Sequence, residues 1–183
     1  MSPNPEPGRV SVSLQIPAGM PFQLVYRQER TEPTVIPERS DCSFLMLVRP
    51  TDIAALAPAI QARLGWAGLA RAGAKLATRG RLYYCLISGR RVVSDGWLAV
   101  SFCRYYRVEP GDVVIGPVWT DPAWRGRGLA TYGLARAMDT MRQRGHSVFF
   151  IDTSNDNEAM QRAIARCGFG APLAVYIRGR RSE

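Results

Sequence analysis

Lysine and histidine are nearly missing from this sequence: Lys75 is the only lysine and His146 the only histidine. A zinc site or a Ser-His-Asp triad would have to be built on that one imidazole. It sits beside Gly145 at a helix-to-strand junction with no supporting ligand spacing, so it reads as a turn residue and no metal is expected. The four cysteines, Cys42, Cys85, Cys103 and Cys167, are widely separated and form no Cys-x-x-Cys pair. That pattern argues against disulfide or metal roles and for buried reduced thiols in a cytoplasmic protein. No apolar run approaches the ~18 residues needed to cross a bilayer, so no membrane role is expected. The Pro-rich, polar start from Met1 to Arg9 lacks the apolar stretch of a signal peptide. Residues 1–20 are expected to be a disordered or extended N-terminal segment.

What is present fits one globular unit. The chain has 183 residues, 46% hydrophobic and 21% charged, which supports a single domain over residues 21–183. Its net charge is +9, carried almost wholly by arginine. A basic surface favours acidic partners such as nucleic acid, anionic lipid or a phosphorylated small molecule. The arginines are scattered, however, and only Arg178, Arg180 and Arg181 form a compact run, so a small anionic ligand is favoured over nucleic acid.

Periodicity orders the elements. Phe22 to Arg27 and Phe44 to Arg49 read as strands, separated by the Pro-containing stretch Glu32 to Asp41. Thr51 is placed to cap a helix with the stripe Ile53, Leu56, Ala57, Ile60 and Leu64, ended by Gly65. Trp66, Leu69, Ala72 and Leu76 give a second helical stripe, closed by Gly80. Leu82 to Ser88 and Val92 to Cys103 form a predicted hairpin about Gly89-Arg90-Arg91, and a further strand runs from Asp112 to Thr120. A glycine-rich corner, Arg125 to Gly128, opens a helix with Ala130, Leu134, Ala137, Met138 and Met141 on one face. Val148 to Ile151 is a short buried strand, and Met160, Ala163, Ile164 and Cys167 mark a helix stopped by Gly168. Leu173 to Arg178 is the last strand. The order predicts an α/β (α+β) fold: one mixed, mostly antiparallel sheet of about 6–7 strands flanked by about four helices.

Chemistry concentrates between Asp112 and Met141. There a strand feeds into Trp124-Arg125-Gly126-Arg127-Gly128-Leu129-Ala130 and a helix begins at once. Glycines let successive backbone N–H groups turn toward one point, and the first N–H groups of a helix lack internal partners. The helix dipole and the flanking Arg125 and Arg127 add positive charge, which together make a cradle for a phosphate or pyrophosphate. Neither a Gly-x-x-x-x-Gly-Lys-Ser/Thr loop nor a Gly-x-Gly-x-x-Gly after a first strand is present.

Arg125-Gly-Arg-Gly128-Leu-Ala130 resembles the Arg/Gln-x-x-Gly-x-Gly/Ala signature of the GNAT superfamily of N-acetyltransferases. A second element, Asn157 followed by a helix ending in Cys167-Gly168-Phe169, resembles the same family, as does the element order from Phe44 onward. The resemblance implies an acetyl-CoA-dependent N-acetyltransferase over residues 21–183, with acetyl-CoA as cosubstrate. By the same resemblance, Arg125, Gly126, Arg127, Gly128, Leu129 and Ala130 hold the CoA pyrophosphate and Thr131 adds a hydroxyl. Val118, Trp119 and Thr120 pair with the pantetheine arm where a neighbouring strand splays away, and Pro117, which donates no hydrogen bond, suits such a break. Asn155 or Asn157 contacts the CoA arm. Asp112 stands where some histone-type members carry a catalytic glutamate, which makes it a candidate general base; it equally suits a strand-start turn.

The sequence departs from the family where many members place a tyrosine as acid to the thiolate: here that position is Ile164. Tyr83, Tyr84, Tyr132 and Tyr176 are the substitutes that sequence leaves open. The acceptor expected is a small-molecule amine, with an anionic one such as a nucleotide-linked amino sugar as the narrower expectation, bound by the region from Thr51 to Arg81. A protein amine, or a CoA-binding sensor or interaction module without catalysis, are the alternatives, and the family resemblance adds a possible homodimer.

Overall fold

Seven strands and four α-helices alternate along the residues that the computed structural model describes, 22–32 and 36–176. In chain order they are β1 (Gln23–Glu29), β2 (Ser43–Leu47), α1 (Pro50–Ala54), α2 (Ala57–Leu76), β3 (Arg81–Ser88), β4 (Arg91–Val100), β5 (Val113–Thr120), α3 (Leu129–Arg142), β6 (Val148–Ser154), α4 (Glu158–Arg166) and β7 (Ala174–Tyr176). The strands make one sheet in the order β2-β3-β4-β5-β6-β1-β7, antiparallel everywhere except between β5 and β6. Parallel neighbours need a crossover, and α3 supplies it. This is the mixed, mostly antiparallel sheet with four helices that the element order predicts. The residue 1–20 segment and the Arg178, Arg180, Arg181 run lie outside the described residues.

The central strand β3 shows how the two layers arise. Its residues alternate faces: Leu82 and Tyr84 enter the core beneath α3 and α4, while Tyr83 and Cys85 enter the core beneath α1 and α2. Five successive positions, Leu82 to Leu86, are buried, as expected of a strand covered on both faces. The fully buried Tyr84 ring lies between two glycines. A Cβ on Gly96 of β4 would stand 2.5 Å from it and one on Gly133 of α3 2.9 Å, so both positions exclude any side chain.

The first strand is not an edge strand. β1 lies between β6 and β7, pairing with β6 along its whole length, while β2 forms the opposite edge. Gln28 locks it in place: its amide donates to the Cys167 carbonyl at 3.0 Å and accepts from Arg142 Nη2 at 3.0 Å. The chain's beginning is thereby tied to both helices that flank the cleft described below.

Several boundaries depart from the sequence reading for identifiable reasons. Thr51 is not the cap of α1. Arg49 occupies that position, and the Asp52 carboxylate accepts the N–H groups of Val48 and Arg49, each at 2.8 Å. The predicted helix through Leu64 is split after Ala54, because Pro58 lacks an N–H and its ring would strike the carbonyl four residues back. Gly65 kinks α2 at φ 71° rather than ending it. β4 stops at Val100, not Cys103, because Ser101 adopts a left-handed φ of 59° and turns the chain away. Ser101 Oγ accepts from Gly111 N–H at 2.8 Å, closing an excursion of the chain that returns at β5.

Two half-buried cations, Arg63 and Lys75, make the helix α2 layer testable. Arg63 Nε approaches Asp95 Oδ2 to 2.9 Å, off the hydrogen-bond axis, and the Arg63 guanidinium lies 3.5 Å from the Trp119 ring centroid. Burial raises the Asp95 carboxyl above the usual range, and Arg63 opposes that shift. Removing Arg63 strands a buried carboxylate. Arg63→Met is expected to cost about 3 kcal/mol in urea denaturation, with most of the loss recovered in Arg63→Met/Asp95→Asn. Lys75, set 3.8 Å from the Trp97 ring centroid, is pushed down to about 8 by burial and then by the charge of Arg81. Its charging penalty is complete below pH ~8 and fades as pH rises toward the unfolded lysine value of ~10.4. Lys75→Met should therefore stabilise the protein at pH 7, with the gain shrinking between pH 8 and 10.5 in paired denaturation curves.

Candidate active site

β5 begins with a partner on each side and ends with one. Its pairing with β4 continues to Thr120, whereas its pairing with β6 covers only Val113 to Ile115. The divergence starts at Gly116, at φ 148°, and at Pro117, which joins it through a cis peptide bond and has no N–H to offer β6. The β4 register shifts between Gly96 and Leu98, opposite the same point. Beyond it, Asp121 N–H donates to the Val93 carbonyl of β4, and the Trp119 carbonyl accepts from Ser94 Oγ at 2.7 Å. Strand alternation then turns the N–H and C=O of Val118 away from β4 and into the gap.

The chain next enters the corner that opens α3. Asp121 accepts from Ala123 N–H at 2.9 Å and starts the short 3₁₀ turn Pro122–Trp124. Gly126 and Gly128 follow with φ of 77° and 75°, conformations that L side chains rarely adopt, and nothing lies within 4 Å of a Cβ placed on either. Both glycines therefore face an open cleft rather than the core. No side chain caps α3, which leaves its first N–H groups without a capping partner. Arg125 is held over the corner by its Nε–H bond to the Thr120 carbonyl at 3.3 Å.

These parts line a cleft of about 520 Å³ between the end of β5 and α4. Ten of the residues predicted for CoA contact are brought together there: Val118, Trp119, Thr120, Arg125, Gly126, Gly128, Leu129, Ala130, Thr131 and Asn157. Two are not. Arg127 lies with its guanidinium 4.8 Å from the Trp124 ring centroid, and its carbonyl accepts from Arg39 at 3.0 Å. Asn155 accepts Phe22 N–H at 3.1 Å and so fastens the start of β1. Asn157 Oδ1 caps α4 through Met160 N–H at 3.1 Å. Sequence reading missed Arg162 and Arg166, whose side of α4 forms the opposite wall. Their signal is a basic pair four residues apart on a helix whose apolar stripe is already assigned.

A second cleft of about 420 Å³ meets the first at Val118, Asn157 and Met160. Its walls are the turn after β4, the divergent part of β5, the end of β6, Gln23 and Arg81. Of the helix region expected to bind the acceptor, only Arg81 reaches it. On the β6 wall stands Asp152, which no motif flagged. Its Oδ1 accepts from Tyr176 Oη at 3.1 Å and its Oδ2 from Tyr106 Oη at 3.4 Å. Burial, then the neighbouring Asp152, pushes the Tyr106 hydroxyl pKa well up, so it remains a proton donor to that carboxylate.

The other candidates lie outside both clefts. Asp112 Oδ2 accepts Glu109 N–H at 2.8 Å and closes the turn before β5, beside Gly111, whose carbonyl meets His146 Nδ1 at 2.8 Å. Ile164 is fully buried. The hydroxyls of Tyr83 and Tyr84 are buried in the core without hydrogen-bond partners, and burial pushes both pKa values up. Tyr132 packs beside Arg39, 5.8 Å from its guanidinium. Among the described residues no group of three His, Cys, Asp or Glu is placed to hold a metal ion. No helix among them is long and apolar enough to cross a membrane.

Comparison with known proteins agrees with this geometry. No curated protein matches the sequence. Among solved structures, aminoglycoside N-acetyltransferase AAC(6')-Iy, bound to the bisubstrate analogue CoA-S-monomethyl-acetylneamine, superposes with a TM-score of 0.60 at 17% identity, covering 78% of this chain and 99% of its own. Aminoglycoside 6'-N-acetyltransferase AAC(6')-Ih from Acinetobacter baumannii gives 0.54 at 13% identity, over 77% of this chain and 100% of its own. A putative GNAT acetyltransferase from Novosphingobium aromaticivorans gives 0.54 at 19%, over 84% and 61%. At such identities these likenesses speak for the fold. The acetyltransferase (GNAT) family pattern matches residues 68–169, more than half of the chain and all of the first cleft, so this chain belongs to the GNAT acetyltransferase family.

Proposed function

We propose that the protein transfers an acetyl group from acetyl-CoA to a small-molecule primary amine. The observation that carries this reading is the junction of the two clefts at Val118, Asn157 and Met160, where β5 has left β6 and its backbone edge is free. A pyrophosphate seated on the Gly126–Gly128 corner, between Arg125 and the arginines of α4, sends the pantetheine arm along that edge. The thioester then lies at the mouth of the second cleft. The shared fold of AAC(6')-Iy, solved in complex with CoA and with a CoA-containing bisubstrate analogue, supports CoA as the ligand.

The reaction joins the amine nitrogen to the acetyl carbon and breaks the carbon–sulfur bond. An acceptor arriving as an ammonium ion loses two protons, one to the departing sulfur and one to solvent. Asp152 is the described carboxylate of the second cleft and takes the first proton, freeing the nitrogen lone pair. Val118 N–H, directed into the gap, donates to the carbonyl oxygen as negative charge develops on it. Asp112, engaged in its turn, is assigned a structural part. The four free cysteines fit a reducing, cytoplasmic compartment. An anionic acceptor, of which a nucleotide-linked amino sugar is one kind, is a narrower reading supported by the two arginines of the second cleft.

Two measurements test the assignment. Calorimetric titration of acetyl-CoA into Gly128→Glu should show binding weakened at least ~10-fold, since a carboxylate at the cradle opposes the pyrophosphate and φ 75° disfavours the side chain. Equal binding by both proteins would remove the cradle. Asp152→Asn should lower kcat/KM for the amine by ~100-fold or more in a thiol-release assay while CoA affinity stays within about two-fold. An unchanged rate would exclude Asp152 as the base.

A further inference from the structure

The second cleft is polarised. Asp152 lies on its β6 wall, and Arg81 and Arg104 contribute its positive side chains. Neither arginine meets a carboxylate among the described residues. Arg81 instead lies 4.3 Å from the Phe102 ring centroid and Arg104 6.0 Å from that of Tyr105. Arg104 is exposed on the turn after β4, so its head group is free to swing into the cleft, while Arg81 is half-buried at the start of β3. Arg81 is also near enough to Lys75 for their charges to oppose one another. Two guanidiniums thus line the cleft without an ion pair to any described carboxylate. A guanidinium stacked on an aromatic ring keeps its N–H fork available for a planar or tetrahedral oxyanion.

We propose that the natural acceptor is a primary amine that also carries a carboxylate or phosphate group. The anion is held by Arg81 and Arg104, and the amine is thereby set at Asp152 beside the Val118 edge. The inference rests on the acetyl-transfer reading for what happens to that amine, but the anion site stands or falls on its own. It also separates this protein from acetyltransferases of polycationic acceptors. A polyamine would bring several positive charges to a cleft whose described side chains offer two guanidiniums and one carboxylate.

The test pairs amines that differ only in charge: β-alanine against its amide, and O-phosphoethanolamine against ethanolamine, with an aminoglycoside as the polycation. Each is titrated into the CoA-loaded protein and each is assayed for acetylation, in wild type, Arg81→Gln, Arg104→Gln and the control Arg107→Gln. Arg107 pairs with Glu109 at 3.2 Å on an exposed turn and belongs to neither cleft. We expect one anionic amine to bind and react at least ~10-fold better than its neutral partner. Arg81→Gln and Arg104→Gln should each raise its KM about 10-fold and leave turnover of the neutral amine and the affinity for CoA unchanged. Which pair responds distinguishes carboxylate from phosphate. Arg104→Gln, at an exposed turn, keeps the test decisive if Arg81→Gln misfolds. Arg-dependent binding without acetylation would uphold the anion site and overturn acetyl transfer. Equal use of neutral and anionic amines, or preference for the aminoglycoside, unaltered by either variant, would overturn the anion site and leave acetyl transfer standing. Neither binding nor turnover of any amine would overturn both.

Discussion

Everything functional in this protein depends on two adjacent parallel strands parting company. β5 and β6 share a ladder from Val113 to Ile115, and then β5 keeps only β4. A strand edge inside a sheet is an unstable thing to expose, because each unpaired backbone group there has lost water without gaining a partner. The protein tolerates this only because the edge opens onto two clefts. A ligand arm bearing amides can complete the ladder, so the cost of opening the sheet becomes affinity for such an arm. The gap also joins the two clefts, since Val118 lines both.

Holding the gap open requires that the rest of the sheet not collapse into it. On one side Tyr84 fills the space between the backbones of β4 and α3, with Gly96 and Gly133 leaving no slack. On the other, β6 is held along its whole length by β1, through seven residue pairs from Gln23 to Glu29, where β5 reaches only three of its residues. Gln28 then ties β1 to α3 through Arg142 and to the end of α4 through the Cys167 carbonyl. The strand nearest the start of the chain thus braces the half of the sheet built last. The helices that form the walls of the first cleft are positioned by the same contact.

Local signals in the sequence carried the strands, the helices and the glycine corner that opens α3. Glycines at positions 126 and 128 need a left-handed backbone, and that need is visible without coordinates. Pro117 was compatible with the break in β5 that the family resemblance implied. What stayed hidden was non-local. Nothing in the residues of β1 says that it crosses the sheet to lie beside β6, because partner choice is settled by contacts more than 100 residues apart in sequence. Asp152 has the same history: an acidic residue on a strand is unremarkable until Tyr106 and Tyr176 are seen to converge on it from two other segments. Asp112 shows the converse, a position whose suggestion came from the sequence and whose turn contact, with the N–H of Glu109, came from the structure.

The arginine excess, which composition alone could not interpret, has a physical reading in the structure. Guanidinium groups lie near aromatic rings at Arg63 with Trp119, Arg81 with Phe102, Arg127 with Trp124 and Arg142 with Phe149. A planar, weakly hydrated cation covers such a ring at little desolvation cost, which an ammonium does less well. Lys75, the one lysine, shows the contrast: burial against Trp97 and the charge of Arg81 drive its pKa down to about 8. Arginine therefore serves here as packing as well as charge. Arg81 does both at a cleft wall, covering the Phe102 ring while it lines the second cleft.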